Sequence, residues 1–511
     1  MVTLKAQQPR LVVGIVVDGL SGETLEMLRP FMERNGFNRF FNRGVVLDNI
    51  DYGTNVNATT AAAILATGAA PKVNGVGGET VYDPLTHRRE FLFADKDENG
   101  INTKEPFSPR ALKVSTLGDE ARIAGAGVTY LYSIAANPSQ AIIWGGHAGN
   151  SAVWLDTYNG NWASSSYYSE LPQPTAQINR TLPLSARIDT MRWTPSATTT
   201  AVVRLPDHLM RYPFNYSFSG NGADKYERYA NSPFVNKDIA RLAQDYVINL
   251  GLGKHEGFDV LNLTFNLQPY PWTQTAENRY ELYDSYIKLD SYLAELFNTL
   301  DSTVGADNVI VYVAGTPPRD SRRRDDVRWN IPGGEFSSRK AVSLLNLYLI
   351  ALYGNGEWVT AFNNGNFYLN SSLANERDID IAHLRRQAAD FLVRMAGIGH
   401  AYTIDDIVRG DIIVPNAAGQ ARNTIISQSG DVFVNLIPGW VLVDDYNLID
   451  HVPDIAYALA PSTAMLLLSA PEVESRRIDT PIDARAIAPT LAGMLHIRSP
   501  NGAEIPPVSI K

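Results

Sequence analysis

The chain contains no cysteine in 511 residues. That excludes disulfides, thiolate nucleophiles and cysteine-ligated zinc, and leaves histidine and carboxylates as the side chains able to hold a metal. Histidine is itself scarce: His87, His147, His208, His255, His383, His400, His451 and His496 are scattered along the chain. No run of eighteen apolar residues occurs, so there is no candidate membrane span. Positive charge is not in excess either. The formal net charge is −10, against the basic face expected of a nucleic-acid binder. What is abundant is apolar mass, 45% of residues, enough for a large core and more than one lobe.

The chain opens with "MVTLKAQQPR". "VTLKAQ" reads either as the tail of a signal peptide whose hydrophobic part has been removed or as an ordinary polar N-terminus. Together with cysteine avoidance it leads us to expect a periplasmic or secreted protein.

Leu11–Val17 is apolar at every position and ends in Asp18-Gly19, the pattern of a strand buried on both faces of a parallel sheet. Ser21 is a suitable N-cap for a helix running to Asn35, with Glu23 in its first turn and Pro30 placed to kink or split it. Thr59–Thr67 reads as an alanine-rich helix closed by Gly68, with Thr59 itself able to cap it. Gly127–Ser133 reads as a strand. Regular alternation returns with a helix at Lys237–Leu250, a strand at Asp259–Phe265 and a long amphipathic helix at Ala276–Leu300. A strand at Asn308–Val313 and helices at Ala341–Leu352 and Ile381–Met395 follow, with a strand and a closing helix near the end. Between Asn150 and Arg211 the texture changes to Tyr, Trp, Ser, Asn and Pro ("NGNWASSSYYSELPQP"), that of an irregular insertion.

The expected architecture is therefore α/β: a doubly wound, mostly parallel central sheet with helices on both faces and a small aromatic-rich cap. Residues 8–149 are assigned to the first part of the core, 150–230 to the cap-like insertion and 231–511 to the second part of the core. In such sheets catalytic groups gather past the carboxyl ends of the strands. The stretch "VIVYVAGTPPRDSRRR", from Val309 to Arg324, breaks that expectation, since its strand stops before Ala314-Gly315-Thr316-Pro317-Pro318 and no metal ligand follows.

Three stretches, "RLVVGIVVDGL", "AAAILATGAAPKVNGVGGETVYDP" and "PIDARAIAPTLAGMLHI", resemble the alkaline phosphatase superfamily. The branch they are most similar to is the type I phosphodiesterase-like one, which includes the phosphate-irrepressible alkaline phosphatases. Segments such as "IIWGGHAGNSAVWLDTYNGNW", "YDSYIKLDSYLAEL" and "DHVPDIAYAL" match in the same order, so the resemblance covers nearly the whole chain. It implies a fold of the alkaline-phosphatase type. For an active member it also implies two zinc ions held by three Asp and three His, a Thr or Ser nucleophile, and an Asn with a Lys/Arg pair on the phosphoryl oxygens.

Carried over residue by residue, those roles do not survive. The first metal aspartate is present as Asp18. The nucleophile position holds Ala58, with Thr59 and Thr60 beside it as weak substitutes. Glu79 stands where the phosphate-binding Asn belongs, and Asn137 and Ser139 where the Lys/Arg pair belongs. The second ligand pair falls on Pro269 and Thr273, the third on Thr316 and Pro317, and the last histidine on Leu442; His451 matches a histidine that does not ligate metal. No cofactor is expected on this reading, and two zinc ions only if a shifted register supplies other ligands.

The expectation is a catalytically inactive relative, a binding or scaffold component of the cell envelope with a protein partner. The competing reading is a metal-dependent hydrolase of phosphate, phosphodiester or sulfate esters with a nonstandard site. Several features carry two readings each. The Arg319–Arg328 run, five Arg among three Asp, is a polyanion site or a self-paired solvated loop. Trp154, Trp162, Tyr167 and Tyr168 bind a partner or pack the cap. His147 is a pocket-floor residue or a satisfied polar histidine. Glu79, Asp83, Asp18 and Asp51 cluster around a hard cation or not at all.

Overall fold

The computed structural model describes residues 8–54, 56–202, 214–220, 224–273, 279–317, 333–412, 417–437, 439–446, 456–457, 461–471 and 473–510. Pro318, the Arg319–Arg328 run, His208 and His451 lie outside them.

The centre is a mixed, mostly parallel sheet. Its strands are β1 (Leu11–Asp18), β2 (Val45–Thr54), β3 (Leu131–Ala135), β4 (Ser151–Leu155), β5 (Trp162–Ser165), β6 (Asp259–Asn266), β7 (Val309–Thr316) and β8 (Pro461–Ser469). Their order is β2-β8-β7-β1-β6-β3-β4-β5, with short edge strands at Arg476–Ile478 and Gly100–Ile101. β7, β1, β6, β3 and β4 are parallel neighbours, while β8 and β5 run antiparallel to theirs.

The helices that bear on the site are α1 (Ala58–Thr67), α2 (Pro138–Gly145), α3 (Pro233–Asn249), α4 (Arg279–Thr303), α5 (Ser338–Tyr353), α6 (Ile381–Leu392) and α7 (Ile487–Leu495). β1 shows why the fold is a layered one. Leu11, Val13, Ile15 and Val17 pack with the α3 and α4 side, whereas Val12 and Val16 pack with α1, α2 and α7. A strand apolar on both faces needs a helical layer on each.

Several local expectations shift. Ser21 does cap the first helix, its hydroxyl accepting from the Thr24 N–H, but that helix ends at Leu28 and a 3₁₀ turn over Arg29–Phe31 takes in Pro30. The proline ends the helix because it removes an N–H and clashes with the preceding turn. Asn57, not Thr59, caps α1; its Oδ1 accepts from the Thr60 N–H at 2.9 Å. β3 begins at Leu131 rather than Gly127, whose positive φ of +84° belongs to a turn. β7 runs on through Gly315 and Thr316 instead of stopping at Val313.

The aromatic-rich segment also divides. β4 and β5 belong to the main sheet, with Trp154, Trp162 and Tyr168 buried, so the irregular part begins after Ser165. A second body was not foreseen. Strands at Val359–Asn363, Asn366–Leu369, Val432–Leu436 and Ile398–Thr403 form a separate sheet, in that order, with α5 and α6 on a hydrophobic cluster of their own. An amphipathic helix announces a buried face but not which sheet it covers.

α4 is fastened to the first helical segment by Asp290. Its carboxylate accepts from the backbone N–H of Glu33 at 2.5 Å and of Phe37 at 2.7 Å. Burial pushes this carboxyl up to about 6 against those two donors. Because the folded value lies above the unfolded one, the contribution is full below about pH 4 and is lost as pH rises toward 6, up to about 3 kcal/mol. Urea titrations of the parent and of Asp290→Asn between pH 4 and 6.5 are expected to show the parent alone losing stability on this scale. A pH-independent difference between them would remove Asp290 as the cause.

Candidate functional site

The carboxyl ends of β1, β6 and β7 lie side by side, which aligns Asp18 with Asn266 on one side and Thr316 on the other. The Thr316 hydroxyl donates to Asp18 Oδ1 at 2.9 Å, and both residues are buried. Around them the backbone is closed: Gly19 N–H donates to the Thr316 carbonyl and Leu267 N–H to that of Asp18. Gln268 Nε2 donates to the Pro317 carbonyl at 3.3 Å, and Tyr52 Oη to the Gly315 carbonyl at 2.6 Å. Burial, with Asp18 nearby, holds the Tyr52 hydroxyl far above the ordinary phenol range, so it stays a donor.

The N-termini of α1 and α2 present different groups. Thr59 and Thr60 are both buried in the first turn of α1, and the Thr60 hydroxyl makes no hydrogen bond among the described residues. Asn137 caps α2, accepting from the Gln140 N–H at 3.2 Å, while its Nδ2 donates to Glu79 Oε1 at 2.7 Å. Ser139 is fully buried and its hydroxyl also lacks a partner among the described residues. The loop carrying Glu79 is held from the second body: Asn364 Nδ2 donates to the Thr80 carbonyl and Gln428 Nε2 to that of Gly75.

Of the positions singled out in the sequence, the structure joins Asp18 to Thr316 and Glu79 to Asn137. It does not join the four carboxylates. Asp51 accepts from the Gly53 N–H, and Asp83 turns into its own hairpin, onto Leu85 and Thr86. Among the described residues no three His, Asp or Glu side chains come together in a way that holds a metal ion. Leu442 is buried with Phe336 and Leu345 in the core of the second body. Pro269 and Thr273 follow β6 half-buried. His147 is exposed, and its carbonyl accepts from the Tyr167 hydroxyl.

A pair of zinc ions does not fit this donor set. Asp18 is one carboxylate, its described neighbours contribute neutral hydroxyl, amide and backbone groups, and an open zinc site takes about three protein ligands. Sequence reasoning missed the second body's hold on the Glu79 loop. Nothing local marks it, because Asn364 and Gln428 read as turn and loop amides. No helix among the described residues is long and apolar enough to cross a membrane.

Comparison with known proteins agrees with the fold. The chain is 26% identical over 521 residues to the alkaline phosphatase PhoV of Synechococcus elongatus, covering 97% of this chain and 92% of that one. It is 23% identical over 524 residues to the alkaline phosphatase PafA of Elizabethkingia meningoseptica, covering 98% and 94%. A crystal structure of wild-type PafA superposes with a TM-score of 0.85 at 21% identity over 99% of both chains, a likeness of fold. The family described as type I phosphodiesterase / nucleotide pyrophosphatase matches residues 12–316, from the second residue of β1 to the last of β7. The chain belongs to the type I phosphodiesterase / nucleotide pyrophosphatase family, within the alkaline phosphatase superfamily.

Proposed function

We propose that this chain is a pseudoenzyme of the superfamily, one that keeps the fold for binding or scaffolding in the cell envelope and has given up the bimetal centre. The observation that carries this reading is mutual satisfaction at the carried-over positions. Thr316 caps Asp18 where a second metal ligand is expected, and Asn137 caps Glu79 where cationic and amide groups are expected around a phosphate. A carboxylate at position 79 repels a phosphate dianion. Ala58 carries no nucleophilic atom. The core, by contrast, is apolar and buried on both faces of β1, so the fold does not depend on the groups missing from the site. Cysteine avoidance supports a periplasmic or secreted location.

The competing reading is a working hydrolase, and what favours it is the likeness to the alkaline phosphatases PhoV and PafA. It needs further ligands brought to Asp18. The deciding experiment is elemental analysis of protein purified without chelators, alongside turnover of an aryl phosphate. Substoichiometric zinc and no turnover are expected. About two zinc ions per chain, with turnover abolished by chelator, would establish the hydrolase instead.

A further inference from the structure

We infer that the junction between the Glu79 loop and the second body holds one monovalent alkali cation, ligated by the side-chain oxygens of Asn366, Asn423 and Gln428. These three residues line a cavity of about 40 Å³, together with Gly77 and Thr80 from the Glu79 loop and Asn364 from the second body's hairpin. Room of this size suits a bare ion with a water or two and excludes an organic ligand. What points to a cation is the way the amides are turned. Asn366 Nδ2 donates to the carbonyls of Asn363 and Asn364, at 3.2 and 2.8 Å. Asn423 Nδ2 donates to those of Tyr52 and Thr54, at 3.2 and 3.0 Å, and Gln428 Nε2 to that of Gly75 at 3.1 Å. Turning any of the three amides around would set its oxygen against a backbone oxygen, so these orientations are fixed. Their own oxygens are left over. Asn366 Oδ1, Asn423 Oδ1 and Gln428 Oε1 are buried and accept no hydrogen bond among the described residues. Asn366 as a whole is only 7% exposed.

Three orphaned acceptors on residues that share one small space call for a partner. Water is a poor one, because it brings lone pairs of its own and the three NH₂ groups that would meet them are engaged. A cation has no lone pairs to satisfy. The donor set then selects its class. No Asp, Glu or His lines the cavity among the described residues, whereas calcium and zinc are held with carboxylates, imidazoles or thiolates. Neutral oxygens suit a monovalent ion, as when rings of carbonyls replace the hydration shell of K⁺. The position gives such an ion leverage on the cleft. Asn423 already grips the end of β2 beside Tyr52, whose hydroxyl holds the Gly315 carbonyl, and Gln428 grips the Glu79 loop at Gly75. An ion shared by the three amides ties these contacts into one unit.

The test compares melting in KCl or NaCl with melting in tetramethylammonium chloride of equal ionic strength, whose cation is too large for the cavity. A saturable gain of about 2 °C or more is expected for the parent at a hundredfold excess of the ion over its Kd. Gln428→Leu removes one ligand oxygen and is expected to melt alike in all three salts, each compared within the variant itself. Crystals of the parent grown with rubidium chloride are expected to show an anomalous peak beside the Asn366 and Asn423 oxygens, a readout that stands even if Gln428→Leu does not fold. None of these measurements depends on turnover. No rubidium peak at that place, a gain that survives in Gln428→Leu, or a gain with calcium chloride but with neither alkali salt would each overturn the proposal.

Discussion

Asp284→Ala is expected to cost roughly 3–5 kcal/mol, because it removes the one anion from a buried set of donors. Asp284 on α4 is fully buried and accepts from Trp193 Nε1, the Ser196 N–H and the Thr199 hydroxyl, each at 2.7 Å, while Lys288 Nζ sits 2.5 Å away. These partners come from residues 193–199, apart from Lys288, which lies one turn along α4. Trp193 in turn packs edge-on against Phe214 and Tyr270. Truncation leaves the donors unpaired in a dry setting and Lys288 without its counter-ion. Asp284→Asn should recover only part of that loss, since its amide keeps one acceptor oxygen but sets an NH₂, itself a donor, against the remaining donors. Urea titration gives the size of the loss and hydrogen exchange its place: protection should fall around Trp193 and Thr199 before it falls in β1. A loss under about 1 kcal/mol would mean the Trp193 segment is held by its aromatic packing alone.

The second large effect is expected at the carboxyl end of β7. Thr316→Asp sets a second carboxylate against Asp18, replacing a hydroxyl that now donates to it at 2.9 Å. Two buried carboxylates at that distance cannot both ionise cheaply, so one is raised by about 2–3 units in the folded state. A raised folded value means stability is full below about pH 4 and lost as pH rises through the shifted value. The variant should match its parent near pH 4 and fall about 3–4 kcal/mol below it by pH 8.

Adding Pro317→His supplies an imidazole as the third ligand. The double variant should then gain stability from zinc, about 2.7 kcal/mol at a hundredfold excess over Kd, while the parent gains none. Calorimetry at pH 8 with and without zinc separates the cases. Stabilisation of the parent by zinc would show that the described donors are only part of its site.

The layered sheet was legible because its evidence is local. β1, β6 and β7 are short runs apolar on both faces, which only a doubly covered parallel sheet accommodates. Their ends were less so: β7 continues through Gly315 and Thr316 because β1 beside it runs to Asp18, and a pairing partner almost three hundred residues away is invisible in a window. The second body was missed for a related reason. Its helices carry the same period as core helices, and Val359–Asn363 and Asn366–Leu369 look like an ordinary hairpin wherever they pack. At the site, single residue types could be read, as with the carboxylate at Glu79 and the missing hydroxyl at Ala58. Their partners could not. That Asn137 both caps α2 and holds Glu79 depends on the meeting of a loop and a helix start 58 residues apart.

The placement of β1 at the middle of the sheet has a consequence for how the chain is made. Asp18 and Thr316 are 298 residues apart in sequence yet paired in register, and the neighbour on the other side, β6, begins only at Asp259. During synthesis the first strand therefore emerges with both edges bare and waits until about half the chain is made before either is covered. Contacts of this span fold slowly, since loop closure precedes any gain from pairing. A bare strand such as Leu11–Val17, apolar on both faces, is also a template for intermolecular pairing. Early elongation is thus the most aggregation-prone interval in the life of this protein, and the one in which a holdase bound to the first twenty residues would have most to prevent.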